Sequence, residues 1–296
     1  MKKILSKTFL LIFVICLISS LQAETGLLVI VHGSPSDNWN KTLVNFGNSL
    51  SSQLKKEKIH LKTKLAFMEF VKPTIADRVK EFENEGIKKV IVLPLFIAPS
   101  SHSSSDIPNI LDISFSPTVR SSLKEEGIKI VKSNIKFTLL PTLNYGRILE
   151  NIMLKRVKLL SKSPESEALV ILYHGSPMFE KFWRKECRSV GTYIAAKTGI
   201  DSFTGGGVKM GDFNKIFSLI KEASANKKRV LVIGLYVASS PLSFYKRYMN
   251  KNNYTIHEKI INQELKNIEV VYSGKSVLPS KELISRVIKL LKQLMN

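Results

Sequence analysis

Cysteine, acidic charge and long apolar runs are all scarce in this 296-residue chain. Its two cysteines are Cys16 and Cys187. Cys16 falls in an apolar N-terminal stretch, which leaves a single thiol and excludes a disulfide framework or a cysteine-based zinc site. Cys187 has Phe182, Trp183 and Val190 at helical spacing, so it reads as a packed thiol rather than a nucleophile. No apolar run reaches the roughly 20 residues that span a bilayer. Gly205-Gly206-Gly207 lacks the spacing of a dinucleotide or phosphate-binding loop, so no nucleotide is expected, and it reads as a tight turn or a close backbone approach. Ser34 and Ser176 sit in no Gly-x-Ser-x-Gly elbow, which argues against a serine hydrolase. Only 24 acidic residues face 45 basic ones, a net charge of +21. Such a surface attracts polyanions, but no zinc-finger spacing, basic heptad or aromatic RNA-binding pattern accompanies it, so nucleic acid is not expected as a partner.

The first 23 residues read as an export signal. Lys2, Lys3 and Lys7 precede the ten apolar residues Phe9 to Ile18, and Ser19–Ala23 offers a cleavage site. The expectation is an exported, periplasmic protein with no stable membrane insertion after cleavage and a charge of +18 without those three lysines.

One phrase occurs twice. Leu27-Leu28-Val29-Ile30-Val31-His32-Gly33-Ser34-Pro35 returns as Leu169-Val170-Ile171-Leu172-Tyr173-His174-Gly175-Ser176-Pro177, with the histidines 142 positions apart (32 to 174). Ile91–Ala98 likewise matches Leu231–Ala238 at an offset of 140. A period this long implies two similar domains, not a solenoid. Short apolar runs alternate with amphipathic ones, the pattern of βα units around a mostly parallel sheet. Expected strands are Leu27–Val31, Thr63–Phe67, Val90–Ile97 and Ile128–Ile135, then Ala168–Tyr173, Arg229–Val237 and Ile268–Tyr272. Expected helices include Lys41–Leu54, Thr74–Glu85 closed by Gly86, and two proline-started helices, Ile148–Leu160 and Leu283–Leu294. The domains are then 24–160 and 168–296, joined by a polar, proline-broken linker at 161–167.

Three chemistry-bearing residues stand just beyond apolar strands. His32 ends the first. His102 follows Pro94-Leu95-Phe96-Ile97-Ala98-Pro99 in a serine-rich loop, with a helix expected to start near Asp106. Glu69 follows the second strand, before Pro73 and a helix start. Two neutral imidazoles on one rim suit a first-row divalent ion, and a carboxylate beside them can ligate metal or accept protons. Taken alone, His102 also reads as a histidine hydrogen-bonded at a strand end, and Glu69 as a capping or salt-bridged glutamate. His60 and His257 read as solvated.

His-Gly-Ser after the first strand, Phe-Met-Glu-x-x-x-Pro-Thr-Ile after the second, and Pro-Leu-Phe-x-Ala-Pro-x-x-His-x-x-x-Asp-Ile-Pro after the third resemble the class II chelatases. The group is the sirohydrochlorin cobaltochelatases and ferrochelatases of cobalamin and sirohaem synthesis. The resemblance implies two duplicated three-layer α/β/α domains with an active-site cleft between them. It implies a lyase activity, ATP-independent insertion of cobalt (Co2+) or iron (Fe2+) into a polycarboxylate tetrapyrrole. His32 and His102 match the family's metal-site histidines, and Glu69 its acidic partner. An exported, non-catalytic carrier of haem, tetrapyrrole or metal is the alternative. The second half departs from the pattern: it keeps His174, but Leu242 replaces His102 and Lys246 replaces Asp106. It is therefore expected to form the opposite wall, with Lys209, Lys246 and Arg247 toward substrate carboxylates. Pro35 stands where many family members carry a basic residue.

Overall fold

The computed structural model describes residues 25–208, 212–251, 263 and 265–295. The expected signal segment, Lys209 and His257 lie outside the described residues.

The chain alternates strands and helices throughout. Its first half runs β1 (Thr25–Val31), α1 (Asp37–Lys56), β2 (Leu61–Phe67), α2 (Ile75–Asn84), β3 (Lys89–Pro94), α3 (Ile107–Ile110), α4 (Pro117–Glu125), β4 (Lys136–Leu139) and α5 (Ile148–Leu160). Its second half runs β5 (Glu167–Tyr173), α6 (Glu180–Thr198), β6 (Ser202–Gly207), α7 (Phe213–Ala223), β7 (Arg229–Leu235), α8 (Pro241–Lys251), β8 (Glu269–Tyr272) and α9 (Lys281–Met295).

Two four-stranded sheets result, ordered β2-β1-β3-β4 and β6-β5-β7-β8, with every pair parallel. β1 and β5 are inner strands covered on both faces, and so read as unbroken apolar runs, buried from Leu27 to Val31 and from Ala168 to Tyr173. The helices follow from their apolar spacing. Leu43, Phe46, Leu50 and Leu54 put one face of α1 into the core. A capping box starts α2: the Thr74 hydroxyl accepts from the Asp77 amide at 3.2 Å, and the Asp77 carboxylate accepts from the Thr74 amide at 2.9 Å. Gly86, at φ +73°, closes it as the sequence suggests.

Helices cover both faces of each sheet. Outer helices pack as α2, α3 and α4 on the first sheet and α7 and α8 on the second. The inner helices α1, α5, α6 and α9 contribute to one continuous apolar cluster that also takes in β1, β3, β5 and β7. The two α/β/α units therefore share their middle layer. Arg156 of α5 donates to the Ser276 carbonyl at 3.0 Å, and Lys292 of α9 pairs with Glu57 at 3.0 Å across the same seam.

Four readings need correction. Ile128–Ile135 is not a strand: Val131 and Ile135 plug the outer core from an irregular segment, and the fourth strand forms just beyond, at Lys136–Leu139. Gly205-Gly206-Gly207 is no turn but the end of β6. The close approach is real, since a Cβ on Gly205 would lie 2.6 Å from the Ile171 carbonyl oxygen and against Cys187 Sγ. Glu167, the last residue of the expected polar linker, already opens β5. Its buried carboxylate accepts from Arg229 at 2.7 Å and from the Lys162 amide at 2.8 Å, so the buried charge is both paired and hydrogen-bonded. α5 starts at Ile148, well after Pro141. No helix among the described residues is long and apolar enough to cross a membrane.

Candidate metal centre

In an open parallel sheet, ligand sites form beyond the carboxyl ends of the strands. The order β2-β1-β3 makes the ends of these three strands neighbours, and each delivers one candidate side chain. His32 directly follows β1, Glu69 lies two residues past β2, and His102 opens a single wide π-helical turn, His102–Asp106, that leads into α3. His32, Glu69 and His102 each offer one ligand atom, and all three atoms lie within 4.8 Å of one another. Glu69 Oε1 is 3.8 Å from His32 Nε2 and 3.9 Å from His102 Nε2. The imidazoles meet edge to face, centroids 5.1 Å apart. All three side chains are partly exposed, so a hydrated ion can reach them.

Both histidines are held by their other nitrogen. His32 Nδ1 lies 2.6 Å from the Gly33 carbonyl oxygen, which only accepts, so the proton sits on Nδ1. His102 Nδ1 donates to Asp106 Oδ2 at 2.7 Å. Each arrangement leaves an Nε2 lone pair directed at the shared space, the way carboxylates and carbonyls orient metal-binding histidines. Burial is the largest influence on His102 and opposes its protonation. The hydrogen bond and charge of Asp106, with the charge of Glu69, outweigh it and raise the His102 pKa. Asp106, expected only as a helix start, makes no side-chain cap and serves His102 instead. The i,i+4 spacing of His102 and Asp106 was the available signal.

The loops are braced from below. Trp39 Nε1 donates to the His32 carbonyl at 2.9 Å, and the Asn40 side chain ties both the amide and the carbonyl of Ser34. Gly33 faces the Glu69 loop so closely that an added Cβ would overlap the Glu69 carbonyl oxygen and lie 3.0 Å from its carbon. Only a residue without a side chain lets these loops meet.

A cleft of about 860 Å³ opens beside the two histidines. His32, Phe70 and His102 line one side, and His174, Glu180, Trp183 and Arg184 the other. His174 occupies the place of His32 at the end of β5. Leu242 and Lys246 lie on α8, where no counterpart of the His102–Asp106 pair exists. Lys246 and Arg247 are absent from the cleft lining, whose described basic side chains are Arg184 and Lys215. Tyr173 donates to Glu180 at 2.8 Å, and Arg184 to the same carboxylate at 3.1 Å. Cys187 is buried, and burial pushes its pKa up to about 12 with help from Glu186 and Glu180, so the thiol is inert at neutral pH. His60 is exposed, before β2 and remote from the strand ends that carry the site.

Residues 26–159 match the CbiX family model. Over 132 residues the chain is 26% identical to the sirohydrochlorin cobaltochelatase of Saccharolobus solfataricus, covering 45% of this chain and 92% of that protein. Over 88 residues it is 34% identical to the sirohydrochlorin cobaltochelatase of Methanococcus maripaludis, covering 30% of this chain and 58% of that protein. Among solved structures, the sirohydrochlorin chelatase SirB from Bacillus subtilis subspecies spizizenii, in complex with cobalt, superposes with a TM-score of 0.60. It is 12% identical, covering 90% of this chain and 93% of that one. CbiX, the terminal enzyme of sirohaem biosynthesis in denitrifying bacteria, superposes with a TM-score of 0.52 at 13% identity, covering 90% and 98%. Residues 26–159 thus form a CbiX-family domain, within a chain that has the two-sheet fold of the class II chelatases SirB and CbiX.

Proposed function

We propose that this protein inserts a divalent metal, cobalt or iron, into a sirohydrochlorin-type tetrapyrrole without nucleotide, with His32, Glu69 and His102 as the residues that handle the metal and the protons. One observation carries the reading. Two histidine Nε2 atoms, each with its Nδ1 tied back, converge with a carboxylate at adjacent strand ends beside a cleft of about 860 Å³.

The chemistry asks for this set. Insertion exchanges two pyrrole N–H protons for one M2+, while the ion sheds its water. Neutral imidazoles replace part of the hydration shell and hold the ion at the cleft wall. Glu69, within reach of both histidines, accepts each of the two pyrrole protons in turn as it leaves and passes it to solvent before the next. Such a base contributes typically ~10²–10⁴-fold. The excess of basic over acidic residues favours approach of a polycarboxylate ring. The basic and apolar segment at residues 1–23 supports export, with the reaction then taking place outside the cytoplasm. The N-terminal mass of the protein recovered from its host tests that assignment.

The deciding experiment follows the absorption spectrum of sirohydrochlorin with Co2+ or Fe2+, with and without enzyme. Many turnovers are expected, with loss in His32→Ala and His102→Ala. A spectral change that stops at one equivalent of protein would replace the enzyme by the carrier reading.

A further inference from the structure

Phe70 follows Glu69 in the loop after β2 and borders the cleft, yet 64% of it stays exposed. Its ring lies 5.9 Å from that of His32, tilted by 38°. The backbone beneath it is bent in an unusual way. The Val71 amide donates to the Glu69 carbonyl at 2.8 Å across Phe70, whose φ is +67°. Phe70 is therefore the central residue of a three-residue turn in the left-handed region, where a side chain crowds the neighbouring carbonyl. Glycine would occupy this position with less strain. The turn carbonyl is the same Glu69 oxygen that rests on Gly33, so the bend packs directly against the loop after β1.

An exposed ring on strained backbone does little for the stability of the empty protein. It gains little from burial, and its conformation is unfavourable. Its position has a chemical use, however. The turn that aims the Glu69 carboxylate at the histidines also stands a flat π-face beside them. Aromatic systems pack in offset or tilted arrangements with centroids roughly 4.5–7 Å apart, and a conjugated macrocycle is a large flat π-system.

We infer that Phe70 is a stacking platform for the tetrapyrrole: it sets the plane of the macrocycle beside the metal held by His32 and His102. The inference rests on the chelatase reading above. Phe70 is a positioning residue for the ring and has no part in holding the ion.

Two titrations and a thermal melt separate these roles. Metal-free sirohydrochlorin is titrated into wild type, Phe70→Gly, Phe70→Tyr and Phe70→Leu. Co2+ is titrated into the same proteins without tetrapyrrole, and each is melted. In Phe70→Gly and Phe70→Leu, ring affinity is expected to fall about tenfold, in line with the strength of aromatic pairing plus lost contact area. Phe70→Tyr is expected to keep it. Cobalt affinity should stay within about twofold throughout. The melting temperature of Phe70→Gly should equal or exceed that of wild type, because the strain is relieved. Unchanged ring affinity in Phe70→Gly would overturn the stacking role while leaving the chelatase reading intact. A clear drop in its melting temperature would also overturn it, by showing that the ring supports the fold. If wild type itself binds no ring, both readings fall.

Discussion

Gly33→Ala tests the construction of the site without touching a proposed ligand. The new Cβ would lie closer than 3.0 Å to the Glu69 carbonyl oxygen, a separation real Cβ atoms essentially never show, and 3.0 Å from the carbonyl carbon. Backbone sits on both sides of this contact, so no rotamer change relieves it. The Glu69–Val71 turn must retreat, by on the order of 1 Å to restore ordinary contact. Glu69 Oε1 now stands 3.8 Å and 3.9 Å from the two histidine nitrogens. Metal–ligand distances tolerate only about ±0.2 Å, so a shift of that size removes the carboxylate from any shared ion. Overpacking costs about 1–3 kcal/mol, which in a chain of this size lowers the melting temperature by roughly 2–4 °C per kcal/mol. Gly86→Ala is the control. Gly86 has φ +73° and nothing within 4 Å of an added Cβ, and it sits at the opposite end of the sheet. Its backbone strain costs about 1–2 kcal/mol with no path to the site. Calorimetric titration with Co2+, run below both melting transitions, should show cobalt affinity at least about tenfold weaker in Gly33→Ala and unchanged in Gly86→Ala. Wild-type cobalt affinity in Gly33→Ala would refute the claim that this close approach builds the site. Equal loss in both variants would trace the effect to stability instead.

Two further outcomes follow from titrating groups. As a proposed ligand, His102 would bind Co2+ only through its neutral ring, and its pKa is raised above the ordinary 6.5, so affinity should fall as pH drops through a midpoint above that value. Asp106→Asn removes the charge that opposes the burial effect: the midpoint should move to lower pH, and affinity at pH 8 should drop by about 10–100-fold through lost orientation, whereas an unmoved midpoint would count against the Asp106 role. Glu186, on the inner helix α6, has its pKa pushed up to about 7 by burial and by Glu150. Its folded pKa lies above the unfolded 4.5, so the folded state holds the proton more tightly; the stabilisation present below pH 4.5 is lost as pH rises through 7. Glu186→Gln should therefore raise the melting temperature at pH 8, by the equivalent of about 2 kcal/mol, and change little at pH 4.5; equal shifts at both pH values would refute the sign.

The sequence announced the strand ends because each apolar run stops at a residue too polar to continue it: Val31 before His32, Met68 before Glu69. Repetition of the first phrase and of Ile91–Ala98 made the two halves visible. Sheet order was less accessible. Nothing in the spacing alone places β1 between β2 and β3, and that order is what turns three separate strand ends into one site. Val131 and Ile135 show another limit, since apolar residues that plug a core from irregular backbone have the same composition as a strand. Glu167 shows the reverse, a charge that looks solvated until Arg229, sixty-two positions away, is brought beside it. Phe70 was invisible for a third reason: positive φ is normally signalled by glycine or asparagine, and here a phenylalanine carries it.

The two halves also explain why only one of them carries the proposed ligand set. Val31 pairs with Phe67 and Ile30 with Pro94, and Tyr173 pairs with Gly207 and Leu172 with Gly234 in the same register. Residues that follow these positions consequently arrive at equivalent places beside the cleft. In the first half those places hold His32, Glu69 and, beyond β3, His102. In the second half the helix after β7 brings Leu242, which has no donor atom. Its nearby carboxylate, Glu180, already accepts from Tyr173 and Arg184. Duplication has thus kept the geometry and dispersed the ligand chemistry, so a bound ion would lie against one wall only. The shared helical layer then fixes how far apart the walls stand. Separating them would expose side chains such as Met153 of α5 and Val190 of α6, now fully buried in one cluster, at about 1.5–3 kcal/mol for each large apolar residue. The width of the cleft is therefore set by the core between the sheets, and a ring that enters it meets a site whose distance from the opposite wall is already built.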